Sequence, residues 1–187
     1  MPGDGDIVAD QPWARFELRA DFIPKDRYLS RDFLDLEFER LWPRVWQVAC
    51  REEELAEPGA YVEYTVGDQS LLLVRVDAGT VKAYFNACRH RGARLAAGCG
   101  RFEGRTITCP YHGWAWRLDG SNARIVNPEQ FSAQARDPEN LRLPECRVGH
   151  WGGFVFVNMD PDAPDRVVSD SHASRSTRRR GGSDHRG

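Results

Sequence analysis

Cys88-Arg89-His90-Arg91-Gly92 and, after a spacer of eighteen residues from that histidine, Cys109-Pro110-Tyr111-His112-Gly113-Trp114 are the two stretches on which the reading of this 187-residue chain turns. Each offers one thiol and one imidazole two or three positions apart and then closes on a glycine. A residue without a Cβ lets the backbone turn sharply and come close to a bound group. Pro110 stiffens the second stretch by fixing its own φ. A single cysteine or histidine of this kind would read as an ordinary packed side chain. Four of them on two glycine-closed loops read as one set of ligands, Cys88, His90, Cys109 and His112.

Outward from the two loops the chain is β-type. Short apolar runs at 45–49, 60–66, 70–76, 80–86, 105–109, 114–118, 141–143 and 153–158 are separated by turn signals such as Gly67-Asp68, Asp77-Ala78-Gly79 and Asp119-Gly120. Closely spaced strands with such turns predict a mainly β, antiparallel domain. Upstream, Ser30 can cap a helix over about 31–41, with Asp32 in its first turn and Pro43 beyond its end. Phe33, Leu34, Phe38 and Leu41 give that helix an apolar side expected to pack on the body. The organisation read from the chain is a lead-in over 1–43 carrying the short helix, a β domain over 44–165, and a tail over 166–187. No internal repeat is present at a useful period.

Apolar residues make up 41% of the chain and aromatic residues 11%, enough for a packed core. The net charge is −2, but the tail holds six Arg and two Asp, so it is +4 and the remainder −6. An acidic body gives no reason to expect nucleic-acid binding. The Arg/Ser/Gly tail has little to bury and is expected to be disordered and solvated rather than a binding segment. No apolar run approaches a membrane span, and the first residues lack the pattern of an export signal. A cytoplasmic location is the expectation. The five cysteines, Cys50, Cys88, Cys99, Cys109 and Cys146, are odd in number and do not read as a disulfide framework.

Two thiolates and two imidazoles, paired Cys with His on each of two loops, match a Rieske-type [2Fe–2S] cluster, in which two His replace two Cys on one iron. Cys88 and Cys109 would then hold the inner iron, and His90 and His112 the outer. Amide N–H groups of such loops can donate to cluster sulfur and tune its potential. The alternative is a structural Cys₂His₂ zinc site, although zinc sites more often pair Cys with Cys and His with His. Cys99, within the spacer, reads as a bystander.

These motifs resemble the Rieske domain of ring-hydroxylating oxygenase alpha subunits. The stretch Leu41-Trp42-Pro43-Arg44-Val45-Trp46 is similar to that family's lead-in, and Gly153-Phe154-Val155-Phe156-Val157-Asn158 to its closing strand. The resemblance covers roughly residues 20–165. Rieske proteins of the respiratory kind have an extra cysteine in each loop and a serine after the second His-Gly. The matching positions here are Ala93, Tyr111 and Trp114, which implies fewer donors to sulfur and a lower potential.

The resemblance implies electron transfer. Electrons would come from a reductase or ferredoxin, rest on the [2Fe–2S] cluster, and pass to a mononuclear non-haem iron, often in a neighbouring subunit of an alpha trimer. That iron needs two His and a carboxylate, and nothing in this sequence supplies them; His150 reads as structural, and His172 and His185 lie in the tail. The mononuclear iron is therefore expected only in full-length family members, and no catalytic residue is assigned here. The abrupt change near Asp165 is read as truncation of an alpha subunit, consistent with a shift of reading frame. A free-standing Rieske ferredoxin and a zinc-stabilised binding module are the alternatives. Arg89 and Arg91 are candidates to orient the outer loop or meet an acidic partner, Tyr111 and Trp114 to shield the site, and Phe85 and Trp116 to fill the core.

Overall fold

Leu71-Leu72-Leu73-Val74 are all fully buried. In a strand, successive side chains point to opposite faces, so a run with no polar position needs cover on both sides. A computed structural model, which describes residues 25–164, shows how that cover is built. The chain divides into two units within one helix, between Glu37 and Phe38. The first unit, where described, holds the helical turn α1 (Asp26–Leu29) and the start of α2 (Arg31–Arg40). Ser30 Oγ accepts from the Phe33 N–H at 3.2 Å, the cap expected from its sequence position. No residue of α2 is buried.

The second unit is two antiparallel sheets. The strands are β1 (Gln47–Arg51), β2 (Ala60–Val66), β3 (Gln69–Arg75), β4 (Val81–Phe85), β5 (Cys99–Arg101), β6 (Thr106–Thr108), β7 (Ala115–Arg117), β8 (Asn122–Arg124), β9 (Glu145–Trp151) and β10 (Phe154–Asn158). The larger sheet runs β1-β10-β9-β4-β3-β2-β5 and the smaller β6-β7-β8. Strands β2 and β3 close through Gly67-Asp68, with Val66 opposite Gln69 and Gly67 at φ +58°. A two-residue hairpin turn requires that left-handed conformation. The Phe38 ring lies over Gly67, where a Cβ would come within 2.7 Å of it.

Strand β3 separates two cores. Leu71 and Leu73 pack with Val81, Ala83, Val155 and Val157. Leu72 and Val74 pack with Tyr84, Ile107, Trp114 and Trp116 in the seam between the sheets. Two buried hydrogen bonds tie that seam: Tyr84 Oη donates to the Leu118 carbonyl at 2.8 Å, and Trp116 Nε1 to the Leu141 carbonyl at 2.7 Å. Burial of each such large side chain contributes about 1.5–3 kcal/mol. Cys88 and Cys109 sit at the edge of this seam core.

One expected strand is absent. Residues 141–143 form none: Leu141 ends the helical turn α3 (Pro138–Leu141), capped by the Asp137 carboxylate accepting from the Glu139 N–H at 2.9 Å. Leu141 and Leu143 are both buried, which imitates strand alternation, but they anchor a loop into the seam core. The strand follows instead as β9, whose charged residues and Gly149 hid it.

Candidate metal centre

The two cysteine–histidine loops leave the ends of different sheets. The first follows β4 in the larger sheet, and the second joins β6 to β7 in the smaller. They share one backbone pattern. The Cys88 N–H donates to the Ala93 carbonyl and the Gly92 N–H to the Cys88 carbonyl, both at 2.8 Å. The Cys109 N–H donates to the Trp114 carbonyl at 2.8 Å, and the Gly113 N–H to the Cys109 carbonyl at 3.1 Å. Gly92 and Gly113 stand at φ +71° and +68°, which is what closing each loop demands of them.

Polar anchors hold each loop. Asn86, buried at the end of β4, accepts from the N–H groups of Leu95 and Ala96 at 3.0 and 3.2 Å and donates to the Ala96 carbonyl at 2.7 Å. Its amide also reaches Ser70 Oγ at 3.0 Å and Glu63 Oε1 at 3.3 Å. Ser70 Oγ donates to Glu63 Oε1 at 2.6 Å, the Gly98 N–H donates to Glu63 Oε2 at 2.9 Å, and Arg94 pairs with Glu63 at 3.4 Å. Burial pushes the Glu63 carboxyl up, but these hydrogen bonds and the Arg94 charge outweigh it and hold the group below the ordinary carboxylate value. The second loop is gripped by Arg124, whose Nε and Nη2 donate to the Gly113 carbonyl at 3.2 and 3.0 Å.

The four predicted ligands come together. Cys88, His90, Cys109 and His112 line one cavity of about 300 Å³, with Arg91, Ala93 and Tyr111. Both cysteines are buried and in no disulfide. Burial pushes the Cys88 thiol above its ordinary value; the neighbouring Cys109 thiol adds to this, while amide N–H groups of His90 and Arg91 directed at its sulfur pull the other way. The imidazoles differ. His90 is half-buried, and His112 is exposed. Burial lowers the His90 value, helped by the nearby Arg91 and His112, which favours the neutral ring that keeps a lone pair to offer. His90 Nδ1 is buried with no hydrogen-bond partner. The His90 ring stacks on Trp114 at 4.9 Å and 9°, and meets His112 edge-on at 4.8 Å and 81°.

This donor set suits an iron–sulfur group. Two buried thiols, a neutral imidazole with an orphaned nitrogen and an exposed imidazole surround a space larger than one ion needs. Among the described residues, no group of three or more His, Cys, Asp or Glu side chains is arranged to hold a single metal ion.

Residues 45–136 match the family model for the Rieske [2Fe-2S] domain. The chain carries a Rieske [2Fe–2S] domain of the oxygenase alpha-subunit family. The carnitine monooxygenase oxygenase subunit of Acinetobacter pittii is 34% identical over 141 residues, which are 75% of this chain and 37% of the relative. The anthranilate 1,2-dioxygenase large subunit of Acinetobacter baylyi is 31% identical over 145 residues, 78% of this chain and 30% of the relative. A solved quaternary ammonium Rieske monooxygenase, described for carnitine oxidation by gut microbiota and inter-subunit electron transfer, superposes with a TM-score of 0.70 at 34% identity. That match covers 75% of this chain and 38% of the solved one. The chain thus spans between 30% and 38% of the length of these relatives.

Other residues singled out from the sequence separate around the Rieske site. Cys99 is exposed on β5 opposite Val62 and does not line the cavity. Arg89 donates to the Asn140 carbonyl at 3.0 Å and so orients its loop, while Arg91 borders the cavity. Trp114 is buried against His90, but Tyr111 is 74% exposed, so it borders the site without shielding it. Trp116 is fully buried in the seam core, and half-buried Phe85 packs against the other core. His150 lies in β9, 3.5 Å from the Glu52 carboxylate. His172, His185 and the tail over 166–187 lie outside the described residues, as does most of the lead-in. Sequence reading passed over Glu63, Ser70, Asn86, Arg124 and Phe131. The available signals were an asparagine ending an apolar strand two positions before Cys88, and a lone aromatic in the polar stretch 127–137.

Proposed function

We propose that Cys88 and Cys109 hold the inner iron of the [2Fe–2S] cluster, that His90 and His112 hold the outer, and that the domain relays single electrons. The observation that carries this reading is the convergence of all four side chains on one cavity, with His90 Nδ1 buried and unpartnered. The cluster supplies a one-electron redox couple whose potential is raised by imidazole ligation relative to four thiolates. The chain's own residues do the rest. The buried thiols give up protons on loading, so cluster assembly is pH-dependent. Trp114 and the seam core exclude water from the thiol side. His112 is the ligand open to solvent, the edge where a redox partner can approach.

The donor is a reductase or ferredoxin, and the acceptor is a mononuclear iron of an oxygenase, reached across a subunit boundary in an alpha-subunit assembly. Inter-subunit electron transfer in the solved quaternary ammonium monooxygenase supports that route. The relatives act on substrates as different as carnitine and anthranilate, and this domain is common to both. The proposal therefore concerns electron delivery and assigns no substrate. The reading places the protein in the cytoplasm; among the described residues, no helix is long and apolar enough to cross a membrane.

The test is iron and acid-labile sulfide analysis of the purified chain, with visible and electron paramagnetic resonance spectra of the reduced form. Two irons and two sulfides per chain with a Rieske signal are expected. A colourless zinc protein, or a signal that survives replacement of both His90 and His112 by alanine, rejects the assignment.

A further inference from the structure

Phe131 follows a 3-10 turn (Pro128–Gln130), where the Phe131 N–H donates to the Pro128 carbonyl at 3.2 Å. Its ring meets His90 edge-on at 5.8 Å and 82°, and meets Trp114 at 5.1 Å and 78°. Trp114 in turn lies flat on His90. Three aromatic rings therefore box one another, and His90 is the one that borders the ligand cavity. On its far side lies a second cavity of about 390 Å³, whose lining includes Arg89, His90, Trp114, Phe131, Asn140 and Leu141.

We propose that Phe131 is a positioning residue for the first histidine ligand: it fixes the plane of the His90 ring and keeps water in the second cavity from the outer iron's ligand. This rests on the reading of His90 as a ligand. The Nδ1 of His90 is buried without a protein partner and is left for the cluster, and the ring that carries it is held by packing against Trp114 and Phe131. Trp114 is held within the seam core. Phe131 comes from a segment outside both sheets, so it is the part of the clamp that can be altered without touching either loop. The reduced cluster carries the greater negative charge and gains more from solvation. A dry wall at His90 thus lowers the potential, and opening that wall raises it.

The test uses the whole loaded chain and the variants Phe131→Ala, Phe131→Leu and Phe131→Tyr. Midpoint potential, the paramagnetic resonance g-values and far-UV circular dichroism are measured for each. The wild-type chain must first show a Rieske signal; its absence overturns the ligand reading, whatever the variants do. Given that signal, Phe131→Ala is expected to shift the reduction equilibrium towards the reduced form by about tenfold, or ~59 mV for one electron, with altered or broadened g-values. Phe131→Leu should fall between, and Phe131→Tyr should stay near wild type. If Phe131→Ala fails to fold, Phe131→Leu decides by the same two readouts. Wild-type potential and g-values in folded Phe131→Ala and Phe131→Leu overturn the proposal.

Discussion

Replacing Asn86 by alanine strikes the anchor of the first loop without touching any of the four proposed ligands. The side chain is 4% exposed and makes five polar contacts, with the Leu95 and Ala96 N–H groups, the Ala96 carbonyl, Ser70 and Glu63. Leu95 is buried and Ala96 half-buried, so alanine leaves one fully buried donor and two partly buried backbone groups without partners. At about 2 kcal/mol for the first and about 1 for each of the others, the loss is about 4 kcal/mol. That is a large share of the 5–15 kcal/mol that typically holds a domain together. Because the freed segment carries Cys88 and His90, the same change should hasten loss of the visible chromophore. Urea unfolding followed by circular dichroism gives the stability, and absorbance decay in the presence of a chelator gives cluster retention. Glu63→Ala and Asn86→Ala combined should cost less than the sum of the two, since they share contacts. A loss below about 1 kcal/mol for Asn86→Ala, or strict additivity of the pair, would refute the view that this network holds the loop.

Four further outcomes are expected. Gly120→Ala should destabilise by about 3 kcal/mol from overpacking together with left-handed strain, because a Cβ there would lie 2.6 Å from the buried Tyr84 ring at φ +81°. Gly92→Ala, at φ +71° with nothing within 4 Å of the new carbon, should cost only the backbone strain of about 1 kcal/mol; equal losses in thermal unfolding would contradict this. The Glu63 carboxyl is held below its ordinary value in the folded chain, so its contribution is present at neutral pH and is lost as pH falls through that value and then through the lower folded one. The stability advantage of wild type over Glu63→Gln should shrink on acidification, and a pH-independent difference would contradict the argument. His112→Cys should retain a cluster of lower potential, because a charged thiolate replaces a neutral imidazole; an unchanged potential in a redox titration would mean that His112 is not a ligand.

The strands were legible where one face or both are apolar. The run 60–66 was read to the residue and is β2, and the 70–76 and 80–86 runs shift by a residue at their ends to become β3 and β4. Strands made of charged and small residues were not legible. Cys99–Arg101 and Asn122–Arg124 exist because a neighbouring strand offers them hydrogen bonds, and their own side chains carry no period. Tyr111 misled because its place between Cys109 and His112 suggested cover, whereas the loop turns its ring outward.

The donor set is a property of the sequence alone: two thiols and two imidazoles, each pair closed by a glycine that must take a positive φ. Ligand chemistry and loop closure depend on residue type and spacing over five or six positions, and a linear reading captures both. The inequality of the two histidines is a property of the fold. His90 and His112 look alike in the sequence, yet one is boxed by Trp114 and Phe131 and the other faces solvent. The difference arises from contacts among residues twenty to forty positions apart, brought together by the seam between two sheets. No local periodicity encodes which ring will lie beneath which, so only the tertiary structure decides which histidine is held and which is left open to solvent.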